Sequence, residues 1–435
     1  MSGLALLVLA CVGLGGLVVG RGAWPTTRVS RLAAAFLVGG VGVAALLVAA
    51  ALLGVPLRAS AGVAFALGAP LGLHWLWRLR ACPREDAPRW TPIERAGLVV
   101  WLILVAAMLR NVAAVPMASV DGRTLWWLHA RLIHDASTYP SPEHRDPGFP
   151  LPHPQYPPLL PVLEASAAAF GAPAESLMRA VPFLFYLALG GLLIGELPRR
   201  DPRAGRGLAL AVLLLPTLVF SEEGGADAGV ADTTVATYVA AAALALEAGA
   251  APLGGLLAAG GALTKNEGLV LGLLLCVSAW LRRGEARRSR RPALTQAAVF
   301  AAIVIPWLLV RATLPAGFDE RYLARLTPEA LAAGVPRAPM VLWEMLRIAL
   351  LHPQRSGLFW WAMAALWLLG RSVGPERGGG RRLVLPAYLA IVLVLYIVSP
   401  WEGVTQVQLS FERVLIQLAP LAALALATRG GPSNK

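Results

Sequence analysis

The strongest constraint on this chain is the length of its uncharged apolar runs. Leu32–Leu53 and Leu98–Leu109 contain no charged residue, and Leu383–Val398 is a third such run. An α-helix rises ~1.5 Å per residue, so about 20 apolar residues cross the ~30 Å hydrocarbon core of a bilayer. These runs therefore predict membrane-spanning helices. Only 14% of the residues are charged and 57% are apolar, whereas a soluble domain has about 25% and 45–50%. A soluble protein so poor in charge could not cover its own surface. Intrinsic disorder, collagen, coiled coil and a disulfide scaffold are excluded for the whole chain. Cys11, Cys82 and Cys276 have neither metal-ligand nor disulfide spacing. Gly3–Gly20 lacks a charged leader and reads as a retained first span.

Hydropathy predicts spans at about 3–20, 32–54, 60–79, 96–115, 177–197, 207–220, 231–248, 252–263, 267–281, 294–313, 357–370, 383–399 and 413–428. The expected fold is an all-α polytopic membrane protein, a bundle of about 13 transmembrane helices. Formal net charge is +13, but the arginines cluster in a pattern that argues against nucleic acid. They group at Arg21–Arg31, Arg78–Arg95, Arg199–Arg206, Arg282–Arg291 and Arg371–Arg382. Each group falls in an odd-numbered connection. Arginine-rich short loops stay cytoplasmic, which predicts a multi-pass cytoplasmic (inner) membrane protein, N-terminus outside and C-terminus inside. Spans 252–263 and 267–281 are short and predict a broken pair meeting inside the protein.

Two long segments, 116–176 and 314–356, fall on the predicted outer face. Tyr139–Pro161 holds nine prolines, which forbid a regular helix and predict a fixed extended loop. Asp121–Asp135 can form a helix with Leu125, Leu128 and Leu132 on one side, suited to lying in the interface plane. Trp343–Leu351 has similar character.

Within this frame a few polar residues stand out. Asp121 follows the end of a span and precedes a glycine; it reads either as an active carboxylate or as a helix cap. His153 and Tyr156 lie in a proline-locked turn, either a ligand-facing patch or a structured lid. Glu222, Glu223, Asp227 and Asp232 form an acidic strip that repels itself unless some acids carry protons or a counter-charge arrives from a divalent metal (Mg or Mn), an outer arginine or Lys265; it reads equally as a solvated outer loop in which Asp232 caps the next helix. Lys265 is one of two lysines in the chain. With Glu267 it interrupts an apolar run, where charge must pair, snorkel or line a wet cavity. Its functional reading is contact with a phosphate. Glu412 and Arg413 open the predicted last span; Arg413 is either a snorkelling anchor or a second phosphate clamp. Arg179 and Arg311 are weaker candidates of the same kind, and Glu164 is a buried acid of unassigned purpose.

Asp121-Gly122 with Trp127 and Ala130-Arg131-Leu132, then His153-Pro-Gln-Tyr-Pro-Pro through Glu164, Ala231-Asp232-Thr-Thr, Leu263-Thr-Lys-Asn-Glu-Gly268, and Glu412-Arg413 before Pro420 together resemble the GT-C superfamily. Its members include aminoarabinose transferase, protein O-mannosyltransferase and other bacterial polyprenyl-phosphate-sugar transferases. The resemblance covers about 95–425. It implies a GT-C-like catalytic module at 95–428, with 1–94 as additional N-terminal spans. It further implies an enzyme that moves a sugar, with inversion, from a polyprenyl phosphate or diphosphate to a glycan, lipid or protein acceptor at the outer membrane face. Asp121 would then be the catalytic carboxylate, and Lys265 and Arg413 would hold the phosphate. His153 and Tyr156 would shape the substrate pockets, and Glu222 and Glu223 would hold a metal or sugar hydroxyls. Many relatives carry a second acid or an aromatic beside the first-loop Asp; here Val120 and Gly122 flank it, which leaves the acceptor open. A lipid or glycan transporter (flippase) and a non-catalytic subunit of an envelope-assembly complex are the alternatives.

Overall fold

The computed structural model describes residues 2–20, 24–81, 90–281, 290–317, 322–369, 383–399 and 401–427. Every regular element among them is helical. Apart from a π turn at Gly122–Trp127 and short helical turns at Pro142–Arg145, Tyr322–Arg325, Pro328–Gly334, Val335–Arg337 and Pro353–Ser356, the first seven helices are α1 (Ser2–Val19), α2 (Arg28–Leu52), α3 (Leu57–Ala81), α4 (Pro92–Ala114), α5 (Leu128–Ala136), α6 (Leu159–Ala168) and α7 (Glu175–Arg200). Next come α8 (Gly205–Leu213), α9 (Pro216–Phe220), α10 (Asp232–Glu247), α11 (Ala251–Ala262), α12 (Asn266–Leu281) and α13 (Arg291–Arg311). The last four are α14 (Ala338–Leu350), α15 (Phe359–Leu369), α16 (Val384–Ile397) and α17 (Gly403–Ala427). Seven of the described helices are long and apolar enough to cross a membrane: α1 to α4, α7, α13 and α17. The chain is thus an all-α, multi-pass membrane protein.

Local chemistry sets the boundaries. Thr27 and Ser30 close a reciprocal capping box at the start of α2, and Thr91 and Glu94 do the same for α4, with Pro92 in its first turn. Each box satisfies donors that have no partner inside the helix. The expected span 207–220 is broken at Pro216, which has no N–H to continue the ladder, and so becomes α8 and α9. The short pair 252–263 and 267–281 forms α11 and α12, which reverse through Leu263–Lys265. The last helix begins at Gly403, ten residues before Arg413. Glu412 and Arg413 therefore lie mid-helix and do not open it, because the polar run Thr405–Ser410 is itself helical.

Packing draws the N-terminal helices into the bundle. A Cβ on Gly39 of α2 would collide with the Cys11 carbonyl of α1, and one on Gly15 with the Ala35 carbonyl. Small residues allow this backbone approach where helices cannot rely on a hydrophobic driving force between them. The α2 helix packs on α6, α7 and α11 as well as on α1 and α3. Fully buried Tyr238 of α10 donates its hydroxyl to the Leu37 carbonyl (3.0 Å). Trp101 of α4 donates to the Tyr186 hydroxyl (2.9 Å), which donates to the Leu213 carbonyl (2.7 Å). Three helices are joined by that chain.

One end of the bundle is arginine-rich. There Glu196 Oε1 accepts from Thr26 N (2.9 Å), Thr26 Oγ1 (2.9 Å) and Ser30 Oγ (2.6 Å). Arg200 pairs with Glu247, and Arg206 with Glu94 at 3.6 Å. Arg21, Arg84, Arg89, Arg282, Arg283, Arg287, Arg288 and Arg371–Arg382 of the expected clusters lie outside the described residues, as do Cys82 and the C-terminal residues beyond 427.

The segment after α4 departs from expectation. Gly122–Trp127 forms a π-helical turn before α5. Its wider winding shifts the inward face to Leu125, Trp126, His129, Ala130 and Ile133. This face packs on α6, so the buried side of α5 is not the expected side, which carries Leu128 and Leu132. The proline-rich stretch is a loop with a single helical turn, Pro142–Arg145, up to α6.

Candidate functional site

Chain direction alone gathers one end of the bundle. Helices α4, α11 and α13 finish where α7, α10 and α12 begin, away from the arginine-rich end. Hydrogen bonds join these termini. Asn111 of α4 donates to Asp227 just before α10 (3.2 Å), Arg311 of α13 donates to Asn266 of α12 (3.0 Å), and Leu159 N donates to the Leu263 carbonyl at the end of α11 (2.8 Å).

At this end Asp232, in the first turn of α10, is fully buried and serves as a hub. Its Oδ1 accepts from Lys265 Nζ (2.9 Å) and Gln417 Nε2 (2.6 Å), and its Oδ2 accepts from Arg413 Nε (3.1 Å). Each cation also holds a second carboxylate. Lys265 Nζ lies 3.1 Å from Glu267 Oε1, and Arg413 Nη1 pairs with Asp121 Oδ2. Exposure rises across the cluster: the side chains of Asp232 and Lys265 are 0% and 3% exposed, while Glu267 and Asp121 are 33% and 37% exposed. The cluster is thus rooted in the bundle and open at its edge. A buried charge is tolerated only when paired and hydrogen-bonded, and Asp232 meets that condition. The Thr233 and Thr234 hydroxyls beside it are buried with no hydrogen-bond partner.

Asp121 is placed by the acidic strip. Glu223 Oε2 accepts from Ser119 Oγ (2.9 Å) and its Oε1 from Val120 N (2.8 Å), while Ser119 Oγ accepts from Gly122 N (2.8 Å). The cap is therefore Ser119, and Asp121 makes no capping bond. Its carboxylate instead projects to Arg413. The π turn follows at once; such turns recur at functional sites because they redirect side chains. A Cβ on Gly122 would collide with Met117 Sδ and the Ala228 carbonyl, so this tight passage needs glycine.

The structure brings together Asp121, Asp232, Lys265, Glu267 and Arg413. Tyr156 interacts electrostatically with Arg413; it packs on Trp126 at 5.6 Å and stacks on His153, centroids 4.5 Å apart. Gln155 between them donates to the Leu314 carbonyl (2.8 Å). Glu412 turns away and pairs with Arg355 at 2.8 Å. Glu222 is exposed and lines a separate cavity of ≈ 240 Å³ with Asn111, Ser119, Arg179 and Asp227. Arg179 is spent on the carbonyls of Asp227, Asn111 (3.3 Å) and Val115 (2.7 Å), so it ties loops together and offers no free fork for phosphate. Glu164 is fully buried in α6, with Oε2 unpartnered.

The metal expectation does not fit these residues. Among the described residues no three His, Cys, Asp or Glu side chains converge as metal ligands. Both oxygens of Glu223 are engaged by the Ser119–Val120 segment, and Glu222 faces another cavity.

Gln417 was not singled out in the sequence. It sits one helical turn after Arg413, on the same face, and bridges Asp232 to Tyr388, whose hydroxyl donates to Gln417 Oε1 (3.1 Å). An amide four residues from a buried arginine in an apolar helix was the available signal.

Outside the spans, His129 and His144 form a second polar chain. The Pro152 carbonyl can only accept, so His129 Nε2 (2.8 Å) carries a proton, and His129 Nδ1 then accepts from His144 Nε2 (3.2 Å). His144 Nδ1 accepts in turn from the Ser141 hydroxyl (2.7 Å). Burial pushes both imidazoles down, His129 to about 4 and His144 to about 3, so both are neutral near pH 7. The chain fastens the proline-rich loop to α5.

Comparison with known proteins finds no matching family model, no similar curated protein and no similar solved structure.

Proposed function

We propose that this protein is a GT-C-like membrane glycosyltransferase that moves a sugar from a polyprenyl phosphate or diphosphate donor to an acceptor at the outer face of the cytoplasmic membrane. In this reading the shorter apolar helices complete about thirteen spans, and the arginine-rich end lies in the cytoplasm. The observation that carries the proposal is the single cluster of Asp121, Lys265 and Arg413, contributed by three distant parts of the chain.

The chemistry follows from the groups. Lys265 and Arg413 offer a point charge and a planar fork, a pairing suited to a phosphate leaving group. Held in place before reaction, they stabilise charge as the glycosidic C–O bond to phosphate breaks. Asp121, at the exposed edge, accepts the proton of the attacking acceptor hydroxyl. Phosphate leaves as a stable anion, so no protein acid is needed opposite. Asp232 and Gln417 position the cations without touching substrate. The His153–Tyr156 stack and Glu267 border the same opening.

The test is transfer from a radiolabelled polyprenyl-phosphate sugar in membranes carrying wild-type or Asp121→Asn protein. Activity should fall about 10²–10⁴-fold with insertion unchanged. Full activity in the variant sinks the role of Asp121. Movement of lipid between leaflets with no covalent product favours a flippase, and tolerance of combined changes at Asp121, Lys265 and Arg413 favours a non-catalytic subunit.

A further inference from the structure

Each of the two cations of the cluster already holds two carboxylates. Asp232 bonds both from inside the bundle, with no exposure and three donors on its two oxygens. It has nowhere to go. The other two carboxylates are of a different kind. Asp121 on Arg413 and Glu267 on Lys265 sit at the open edge, each a third or more exposed. Each cation thus has one fixed partner and one exchangeable partner. A phosphate that docks on the outer edge of the Arg413 guanidinium competes there with Asp121, the exposed partner, because the buried hub cannot retreat.

We infer that the Asp121–Arg413 ion pair is a latch, in which a lipid phosphate arriving at Arg413 releases the Asp121 carboxylate. This inference rests on the glycosyltransferase reading and adds an order to it. Before the phosphate binds, the Asp121 carboxylate is held by Arg413 and is not free to meet an acceptor hydroxyl. Once the phosphate has replaced it, the freed carboxylate faces the opening and can take a hydroxyl proton. The donor therefore binds before the acceptor is activated. Water reaching the empty site meets a carboxylate that is already occupied.

A competitor for a binding site lowers ligand affinity, so removing it must raise that affinity. Partly exposed ion pairs are worth up to about 1 kcal/mol, or about fivefold in an equilibrium. Binding of farnesyl phosphate to purified full-length protein in nanodiscs is the measurement, with farnesol as the uncharged control. Asp121→Asn should bind farnesyl phosphate about fivefold tighter than wild type, Arg413→Gln should bind it more weakly, and farnesol should show no gain. Unchanged or weaker binding by Asp121→Asn overturns the latch, as does an equal gain for farnesol. In that case the lipid-phosphate reading stands if Arg413→Gln still loses affinity. Failure of wild type and both variants to bind farnesyl phosphate overturns the reading itself, and the latch with it. A second measurement needs no variant: carbodiimide modification of Asp121 in the wild-type protein, followed by peptide mass spectrometry, should rise when farnesyl phosphate is added. Modification that stays level or falls counts against the latch.

Discussion

Asp121 and Asp232 touch the same guanidinium, yet their surroundings give them different roles. Asp232 is the buried counter-charge of two cations and the acceptor for Gln417. Replacing one member of a buried ion-paired set leaves the others uncompensated and costs about 3–5 kcal/mol. Asp121 is at the exposed edge, where losing an ion pair costs about 1 kcal/mol or less. Asp232→Asn should therefore lower the melting temperature in nanodiscs far more than Asp121→Asn does. Equal losses would show that Asp121 belongs to the structural core and is not an exchangeable carboxylate. Lys265, conspicuous in the sequence as a lone internal lysine, and Arg413 could be picked out individually. That one carboxylate joins them could not, because 181 residues separate Asp232 from Arg413.

At the scale of elements, the proline-rich loop is fixed by the Ser141–His144–His129–Pro152 chain. Both imidazoles ionise at an ordinary 6.5 when unfolded, and at about 4 and about 3 in the folded chain. Between those limits the unfolded state binds more protons, so stability rises with pH. The protein should be most stable above about pH 6.5 and lose stability as pH falls from there toward 4. His144→Gln should flatten that part of the melting-temperature profile; an unaltered slope would place the titration elsewhere. In the N-terminal helices, close approach of α1 and α2 depends on Gly39 facing the Cys11 backbone. Gly39→Leu should cost about 1–3 kcal/mol or more by forcing the two helices apart, read as a lower melting temperature. The same change at Gly42, whose Cβ position meets no atom, should be nearly neutral.

For the whole molecule, the described termini sort into two ends. Arg200, Arg206 and Glu196 share one, and Asp121, Asp232 and Lys265 share the other. The positive-inside rule then predicts which end faces the cytoplasm. In a cysteine-free background, Arg145→Cys should react with a membrane-impermeant maleimide from outside intact cells, and Arg203→Cys only after permeabilisation. Labelling of both from one side would break the two-ended arrangement. The N-terminal helices are part of this body: α2 contacts α6, α7 and α11, and Glu196 of α7 holds the start of α2. A chain lacking α1 to α3 should therefore fail to accumulate as a monodisperse protein.

The amino-acid sequence by itself determined the solvent and the secondary structure. Scarce charge and long apolar runs leave a chain no option but helices in lipid, since every backbone polar group must find its partner within its own segment. Prolines dictated the irregular loop, and the depth of Lys265 in an apolar run required that it pair, snorkel or line a wet cavity. Tertiary structure decided which partner, because pairing between distant segments depends on how whole helices pack and leaves no local pattern. Only packing revealed that Ser119 does the capping expected of Asp121, that Glu223 grips the loop where the acidic strip suggests a metal, and that Glu412 and Arg413, adjacent in sequence, diverge. Neighbours on a helix point about 100° apart, so one reached the hub at Asp232 while the other met Arg355.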